Sequence, residues 1–559
     1  MALAACRSPE AWRAEADRQA AQHIGRVRTD AGLAGEFTIE QPSEQLRRRL
    51  IESQGLPSVS SGALEEPSAP APPAEALPLS LADALRVGAR NNREYQDTKE
   101  NVFRAALALD VQQEEFRHSL AAVASGAYHE QRSGDPDVRG MEGAGSFTAG
   151  RTFTTGASIA TRLAVDVVKL LTLDRDSAYG LLADATVTVP LWRGAGREVV
   201  MEPMRQAERN LLYALHEFER FRRAYAVRVA NEYLSALQQM QSARHAAENE
   251  ERISIATRRA EQLAQAGRLP EVQVDQARQD LLRARERTIA ARLSAEQRLD
   301  QLKLTLGLPA DARVSPDAEE LERLAAMEDR GTTVEGEASG GEIPPQTVEA
   351  WIRTALENRL DLRTAFARVE DARRAVRVAA DALRAGLSLE LSGKAGERRS
   401  LSSASSGDAR LDPDRGDYAA RLNWDWPWRR AAERNAYRES LLALDRAERN
   451  AEEMEDRVKS QVRAGARDLA QARQSLVIQR QAVAVARRRI ESVDLFLQAG
   501  RAQIRDLLEA QEALVTAQNA LTAAIVSRRL AELSLQRDLE RLELDEEGLW
   551  QETTDEMEP

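Results

Sequence analysis

Gln265-Ala-Gly-Arg268 and Gln498-Ala-Gly-Arg501 are nearly the same stretch, present twice in a chain of 559 residues. In each copy an alanine follows ten residues after the glycine, as Ala277 and Ala510. Each glycine also ends one long run rich in Ala, Arg and Glu and precedes another. Two helical hairpins 233 residues apart predict a duplicated fold with an architectural function, since solenoid repeats have periods of only about 20–50 residues.

Other landmarks extend the duplication beyond these tips. Asn91 aligns with Asn358 at a spacing of 267 residues, and Pro190-Leu-Trp-Arg193 aligns with Pro427-Trp-Arg-Arg430 at a spacing of 237. Repeat one therefore carries about 30 additional residues between its two landmarks. These fall in 131–180, a segment rich in Gly, Ser and Thr. We expect either an extended loop or an additional hairpin there.

The composition is typical of long helices in coiled-coil-like contact. Charged residues make up 30% of the chain and aromatic residues only 4%, while Ala, Leu, Arg and Glu dominate. The net charge of -12 argues against a nucleic-acid partner.

The single cysteine excludes an internal disulfide and a thiolate metal cluster. Leu3-Ala4-Ala5-Cys6 has the form of a lipobox, so Cys6 is a candidate for lipidation. Only five residues precede it, whereas a signal peptide needs a charged and an apolar region. Either the true start lies upstream, or Cys6 stands by chance in an Ala-rich terminus.

Three segments alternate between apolar and polar residues with a period of two, which predicts β-strands. They lie at 183–191, 387–392 and 420–426, and a weaker candidate lies at 119–130. This pattern fits strands with lipid on one side and water on the other, although a soluble antiparallel sheet alternates in the same way. No stretch approaches 18 apolar residues, so a membrane function would need strands or a lipid anchor. Four tryptophans are predicted to form an interfacial girdle, with a simple core as the alternative: Trp192, Trp424, Trp426 and Trp428.

The chain is predicted to contain two repeats with flanking and linking segments. Ser80 and Thr347 are the expected N-caps of helices running to about 118 and 383. Long helices are expected at about 197–266 and 429–499, with shorter partners that make each repeat a column two helices wide. The expected boundaries are 1–79 for an N-terminal segment with a Pro-rich linker, 80–307 for repeat one, 308–345 for a linker, 346–545 for repeat two, and 546–559 for an acidic tail.

The order of helix, strands, long helix, tip and returning helix, repeated once, resembles the TolC family of outer membrane efflux proteins over about 80–545. The tip carries the most specific likeness. Gly500-Arg-Ala-Gln-Ile-Arg-Asp506-Leu507-Leu-Glu509-Ala510 fits the family pattern, and Gly267-Arg-Leu-Pro-Glu-Val-Gln273-Val274-Asp-Gln276-Ala277 keeps its frame without the Asp. Asn91-Asn92 and the segment 187–194 are also similar to family signatures.

This resemblance implies a mainly α-helical fold with a β-barrel part. Duplicated long hairpins would form an α-helical barrel, and about four transmembrane strands per chain would be completed into a 12-stranded barrel by trimerisation. Physical arguments also favour a barrel built from the strands of several chains. Single-chain barrels need at least about eight strands, and open sheet edges are not tolerated in lipid.

The resemblance also implies roles for the tip residues. Gly267, Arg268, Gly500 and Arg501 would contact a periplasmic adaptor protein. Asp506 and Glu509 would form acidic rings at the pore constriction. Alternatively, Asp506 caps the returning helix and Glu509 is a solvated surface residue. Polar residues that close the gate in the best-known members are replaced here by Leu497, Ala502 and Gln273, so closure would need other contacts, such as those of Arg268, Arg501 or Arg505.

No catalytic constellation is recognisable in the sequence. The five histidines show no metal-ligand spacing, and no phosphate-binding loop or nucleophile elbow is present. We therefore expect no enzyme activity, cofactor or metal.

The predicted function is a passive exit duct of a tripartite efflux or type I secretion system. The protein is expected in the outer membrane of a Gram-negative-type bacterium, and a long portion of it is expected in the periplasm. The expected partners are two more copies of the chain, an adaptor, an inner membrane transporter and outer membrane lipid. A periplasmic adaptor and a coiled-coil scaffold without a pore are the alternatives.

Overall fold

The computed structural model describes residues 8–33, 37, 46, 49–51, 54, 76–131, 138–171, 177–331, 343–400, 408–499, 501–545 and 549. It divides into two compact units. The sheet unit comprises Met1–Ala34, Val102–Leu215 and Thr364–Glu452. The helical unit comprises Gly35–Asn101, His216–Arg363 and Glu453–Pro559.

The first repeat begins after a separate N-terminal helix and contains four long strands. Its returning helix is followed by a short strand and a short helix. In chain order the elements are α1 (Pro9–Ala31), β1 (Leu77–Leu79), α2 (Leu81–Asn91), α3 (Arg93–Glu114), β2 (Ser119–Gln131), β3 (Val138–Thr152), β4 (Ser158–Leu170), β5 (Ala178–Pro190), α4 (Arg197–Val200), α5 (Glu202–Gln265), α6 (Glu271–Thr305), β6 (Val314–Pro316) and α7 (Glu319–Gly331).

The second repeat has the same order but only two long strands. Its elements are α8 (Pro345–Asn358), α9 (Leu360–Ala382), β7 (Gly386–Glu397), a 3₁₀ turn (Pro413–Arg415), β8 (Asp417–Asp425), α10 (Ala431–Gln498) and α11 (Ile504–Asp538). The duplication is confirmed, and α5 and α10, of 64 and 68 residues, would each be about 100 Å long if straight.

The first predicted helix of each repeat is in fact two helices. The first pair meets at Asn92, and the second meets at Arg359. Asn92 breaks the run because its side-chain oxygen accepts the backbone N–H of Tyr95 at 2.8 Å, as an N-cap does. Its side-chain nitrogen donates to the carbonyl of Thr305 at 2.8 Å. The Ser80 cap is confirmed, with its hydroxyl accepting from the N–H of Asp83, but the Thr347 cap is wrong because α8 begins at Pro345.

The returning helices end at equivalent positions with left-handed backbone. Gly307 has φ +72°, and an added Cβ would lie 2.2 Å from the carbonyl oxygen of Asn91, so only glycine fits there. The equivalent residue in repeat two is Glu540, with φ +58°. Its carboxylate accepts hydrogen bonds from Arg220 and Arg223. This buried ion cluster accounts for a non-glycine residue at a position that costs a side chain about 1–2 kcal/mol.

The sheet unit contains six antiparallel strands in the order β2-β3-β4-β5-β7-β8. The sheet thus has six strands where about four transmembrane strands were expected, because the insertion between the repeat-one landmarks forms the additional hairpin β3–β4. The number of strands that cross a membrane stays a prediction. Within the described residues, the outer strands β2 and β8 do not pair with each other. The helical unit has a separate parallel pair, β1 with β6. The strand β1 ends the segment predicted as a Pro-rich linker, and β6 lies in the segment predicted as an inter-repeat linker.

Candidate functional site

One face of the six-stranded sheet is apolar across all its strands. Residues directly opposite in antiparallel strands share a face, and the register places Ala122 opposite Phe147, Phe147 opposite Leu163, and Leu163 opposite Ala183. Most of the large side chains on this face are exposed to solvent: Leu120, Tyr128, Met141, Phe147, Leu163, Val165, Val167, Tyr179, Leu391, Tyr418, Leu422 and Trp424. So large an exposed apolar patch marks an interaction surface.

The opposite face carries most of the polar and charged residues of the sheet, together with the buried Ala164, Val168 and Leu182. In one row, Arg162 lies opposite Asp184, Asp184 opposite Lys394, and Lys394 opposite Asp417. Further along the same face, the guanidinium of Arg398 donates to both carboxylate oxygens of Asp166, at 2.9 and 3.1 Å. A sheet with one apolar and one charged face has the lining that a water-filled pore in lipid requires.

The apolar face is as tall as a membrane is thick. Tyr179, on β5, lies at one end of the face, and Leu191, just after β5, lies at the other end, 12 residues along the chain. At 3.3 Å per residue and a tilt of about 40°, this distance spans about 30 Å, the thickness of a hydrocarbon core.

The four predicted girdle tryptophans are all exposed. The N–H of Leu191 donates to the carbonyl of Leu387, and Leu387 lies opposite Trp424, so Trp192 and Trp424 lie at the same end of the sheet. The rings of Trp424 and Trp426 make an edge-to-face contact at 5.8 Å, and Trp428 is 94% exposed. This is the end from which α4 and α10 continue the chain. The position fits the interfacial girdle, which stays a prediction.

The two hairpin tips have the same backbone closure. In repeat one the N–H of Arg268 donates to the carbonyl of Leu263 at 2.9 Å, and in repeat two the N–H of Arg501 donates to that of Phe496 at 2.8 Å. Gly267 has the left-handed φ of +70° that ends helices. Gly267, Arg268 and Arg501 are exposed, whereas Gly500 lies outside the described residues, as does Cys6.

The repeated alanines are buried where the hairpins pack together. Ala277 and Ala510 are both 0% exposed. Ala277 belongs to a cluster in which Val274 of repeat one packs with Ile504 and Leu508 of repeat two. A hydroxyl hydrogen bond from Thr257 to the carbonyl of Ala277 at 3.2 Å requires close helix approach, which explains the small side chain.

Enlarging this alanine should destabilise the tip. We expect Ala277→Leu to lower the free energy of unfolding by about 1–3 kcal/mol, because the added methylenes have no space in a packed interior. Thermal unfolding followed by circular dichroism measures the change. Gln279→Leu, at an exposed position of the same helix, is the control. Equal stability of the two variants would show that the tips are loosely packed.

Asp506 lies in a capping box at the start of α11. Its carboxylate accepts the backbone N–H of Gln503 at 2.9 Å, and its own backbone N–H donates to the Gln503 carbonyl at 3.1 Å. Glu509 is exposed and lies 3.6 Å from Arg505. The helix-terminal role considered for Asp506 is thus observed, although as the third helical residue rather than the N-cap. A pore role for both acids stays a prediction. Of the replaced gate positions, Leu497 packs against the tip cluster.

Sequence reasoning missed a partly buried ion network in the sheet unit. The Asp371 carboxylate accepts hydrogen bonds from Tyr213, Arg209 and Arg374, the last at 2.7 Å. Arg374 also donates to Glu202 at 2.9 Å. The network ties α5 to α9, which are distant in sequence, so no local motif could have revealed it.

The network shifts the pKa values of its members. Burial alone would raise the pKa of the Asp371 carboxyl, but the hydrogen bonds from Tyr213 and Arg374 and the charges of Arg209 and Arg374 lower it below its ordinary value. Burial and the adjacent Asp371 carboxylate raise the pKa of Tyr213 to about 12.

No described helix combines the length and apolar character that a membrane crossing requires. No cluster of three or more His, Cys, Asp or Glu side chains among the described residues is arranged to hold a metal ion.

Residues 171–308, from the end of β4 to the end of α6, match the family model described as outer membrane efflux protein. Residues 171–308 therefore resemble the outer membrane efflux protein family, and the match includes the 187–194 segment and the tip of repeat one. It confirms the resemblance for these motifs, while the tip of repeat two lies outside the matched residues. The family consists of outer membrane channels, which are not enzymes. No curated protein sequence matches the chain significantly.

Solved structures of outer membrane channels have the same fold. CmeC of Campylobacter jejuni is 14% identical with a TM-score of 0.58, over 82% of this chain and 85% of that one. VceC of Vibrio cholerae is 14% identical with a TM-score of 0.57, over 82% and 95%. MtrE of Neisseria gonorrhoeae, in its open state, is 14% identical with a TM-score of 0.53, over 82% and 88%. This chain therefore shares its mainly helical fold with these outer membrane channels.

Proposed function

We propose that three copies of this chain form an outer membrane exit duct of a tripartite efflux or type I secretion system, which conducts substrates passively from the periplasm to the exterior. The observation that carries the proposal is the two-faced sheet. Its exposed apolar face is about as tall as a hydrocarbon core, and its other face carries charges such as Arg162 and Asp184. A soluble adaptor or coiled-coil scaffold has no use for such an exposed apolar surface.

Trimerisation follows from the open edges of this sheet. An unpaired strand edge in lipid leaves several backbone groups without partners, each at a cost of several kcal/mol. The strands β2 and β8 have free edges in the chain described here, so another copy must pair with each. The family resemblance supplies the number three.

The long helices and their tips suit the periplasmic part of such a duct. The exposed Gly267 and Arg268 of one tip, and Arg501 with its sequence neighbour Gly500 at the other, are the proposed contacts for a periplasmic adaptor. That adaptor would link the duct to an inner membrane transporter. Asp506 and Glu509, near the same tips, are the proposed acidic rings at the constriction.

Single-channel conductance of the purified protein in a planar bilayer tests this function. We expect discrete cation-selective steps, because three copies of each acid at a constriction attract cations. The double variant Asp506→Ala, Glu509→Ala should keep the steps and lose much of the selectivity. Asp275→Ala removes an exposed carboxylate near the tip of repeat one and is the control.

The outcomes separate the parts of the proposal. Unchanged selectivity in the double variant would retain the duct and reject the acidic rings. A folded helical trimer that never forms steps would reject the duct and favour a periplasmic scaffold or adaptor.

A further inference from the structure

We propose that the hairpin β3–β4 spans the membrane as part of the pore wall. Each chain would then contribute six strands, and the assembly would close an 18-stranded barrel in place of the 12-stranded one implied by the family resemblance. This inference rests on the proposed trimeric duct, and it identifies the 131–180 insertion as a device that widens the pore.

The hairpin is continuous with the rest of the sheet. The strand β3 pairs with β2 from Ser119 opposite Gly150 to Gln131 opposite Val138. On its other side, β4 pairs with β5 from Ser158 opposite Thr188 to Val168 opposite Ala178. The hairpin thus separates β2 from β5 over their length, and no barrel containing both can omit it.

The two faces of the hairpin match those of its neighbours. Phe147, Leu163 and Val165 lie on the apolar face and are 40–44% exposed. Ser146, Arg162 and Asp166, on the opposite face, continue the charged lining. A hairpin outside the membrane, or folded into the lumen as a plug, would gain nothing from an exposed apolar face in register with the lipid-facing residues of β5.

The lengths of the inserted strands agree with this placement. The strands β3 and β4 contain 15 and 13 residues, and a tilted strand needs only about 9–11 to cross a bilayer. Adding two strands also keeps the count per chain even. Because the count is even, the first strand β2 and the last strand β8 run antiparallel. The β8 edge of one copy can therefore pair with the β2 edge of the next in the antiparallel arrangement that such barrels have.

The pore gains width from the additional strands. With neighbouring strands about 4.8 Å apart and a tilt of about 40°, 12 strands give a backbone radius of about 12 Å and 18 strands one of about 18 Å. The cross-section inside the barrel roughly doubles, into the range where barrels leave an open aqueous channel. The inserted hairpin therefore admits bulkier cargo through this segment of the duct.

Single-cysteine labelling locates the hairpin. The background for these variants is Cys6→Ser, which must first be shown to form trimers in the membrane. In this background a cysteine is introduced in place of Phe147 or of the adjacent Ser146. A second pair, Val187→Cys and Thr188→Cys, reports on β5 as the reference. Each variant, reconstituted in vesicles, is reacted with a water-soluble maleimide and separately with a fluorophore that spin-labelled lipid quenches.

We expect both pairs to alternate. Cysteines at 147 and 187 should be quenched by lipid and lose reaction with the soluble reagent, whereas those at 146 and 188 should react with it. Suppose that cysteines at 187 and 188 alternate as expected, but cysteines at 146 and 147 both react with the water-soluble maleimide and neither is quenched by lipid. That result would overturn the membrane placement of the hairpin and leave the proposed duct intact. Absence of alternation at 187 and 188 would overturn the duct itself.

Direct imaging counts the strands. Electron cryomicroscopy of the full-length trimer in lipid nanodiscs should show 18 strands, and a map with 12 would overturn the inference. Deleting residues 138–171 should give 12 strands, since β2 and β5 are antiparallel and the register through the hairpin places Leu120 level with Ala185 on the same face. If the deletion variant does not fold, the full-length map still decides.

Discussion

Asp371→Ala should lower the free energy of unfolding by about 3 kcal/mol, the largest loss that we expect from one side chain. The carboxylate is 11% exposed and accepts hydrogen bonds from Tyr213, Arg209 and Arg374. Removing it leaves the Arg209 guanidinium without its carboxylate partner and the Tyr213 hydroxyl without its acceptor, whereas Arg374 keeps Glu202. Breaking such a partly buried pair costs more than the intact pair contributes. Chemical unfolding of the purified protein, followed by circular dichroism, measures the loss.

A neighbouring residue on the same helix provides the matched control. Glu370 pairs with Arg373 at 2.6 Å, but both side chains are more than half exposed. Solvent screens such a pair, so Glu370→Ala should change the free energy of unfolding by less than about 1 kcal/mol. Equal losses in the two variants would show that the Asp371 network adds nothing beyond an ordinary surface ion pair.

The pH dependence of stability gives this network a second readout. The pKa of Asp371 is lowered on folding, so its contribution is present above its unfolded pKa of about 3.9 and is lost as the pH falls through the lower folded value. The pKa of Tyr213 is raised to about 12, so its contribution is present below its unfolded pKa of about 10 and is lost as the pH rises towards 12. Tyr213→Phe should remove the alkaline loss and reduce the acid one, because the Tyr213 hydroxyl is one of the donors that lower the pKa of Asp371.

Ala185→Arg should destabilise the membrane-inserted protein by about 2–4 kcal/mol. Ala185 is exposed on the apolar face of β5, midway between Tyr179 and Leu191. A cation there would lie near the middle of the hydrocarbon, where it is most costly. Urea-induced unfolding of the protein reconstituted in vesicles measures the effect.

The adjacent residue separates the two faces of the strand. Thr186→Arg places the same charge on the polar face, beside Ser392, where water would solvate it, so its cost should be near zero. A similar loss at both positions would mean that neither face meets lipid, and it would contradict the membrane placement of the sheet.

The duplication and the long helices could be predicted because their signals are local and repeated. The tip motif recurs with its buried alanine, and the helical runs are long enough to show their period. The strand β5 was also predictable, since large apolar residues such as Val187 and Val189 alternate with threonines.

The hairpin β3–β4 could not be distinguished from an extended loop in the sequence, because its composition hides the period-two alternation of a strand. Gly143 and Gly145 occupy the apolar face of β3, while Ala144 lies on the other face. Small residues on both faces give no period-two signal, and pairing with neighbouring strands determines the structure instead.

The breaks at Asn92 and Arg359 depend on contacts remote in sequence. Asn92 donates to Thr305, and the buried Arg359 donates to Gln461 at 2.7 Å. The acid at 371 meets partners on α5 that are about 160 residues away. Tertiary contacts of this kind override local helix preference, so they become visible only in the folded chain.

The free edges of β2 and β8 also determine how such a protein can be made. In the proposed duct, a lone copy would be an open sheet in the bilayer, so its insertion and association would have to occur together. The yield of ducts should then rise more steeply than the amount of chain synthesised, because each duct would consume three chains. Copies not yet assembled would present an uncovered row of backbone donors and acceptors on each edge strand, which is a template for aggregation.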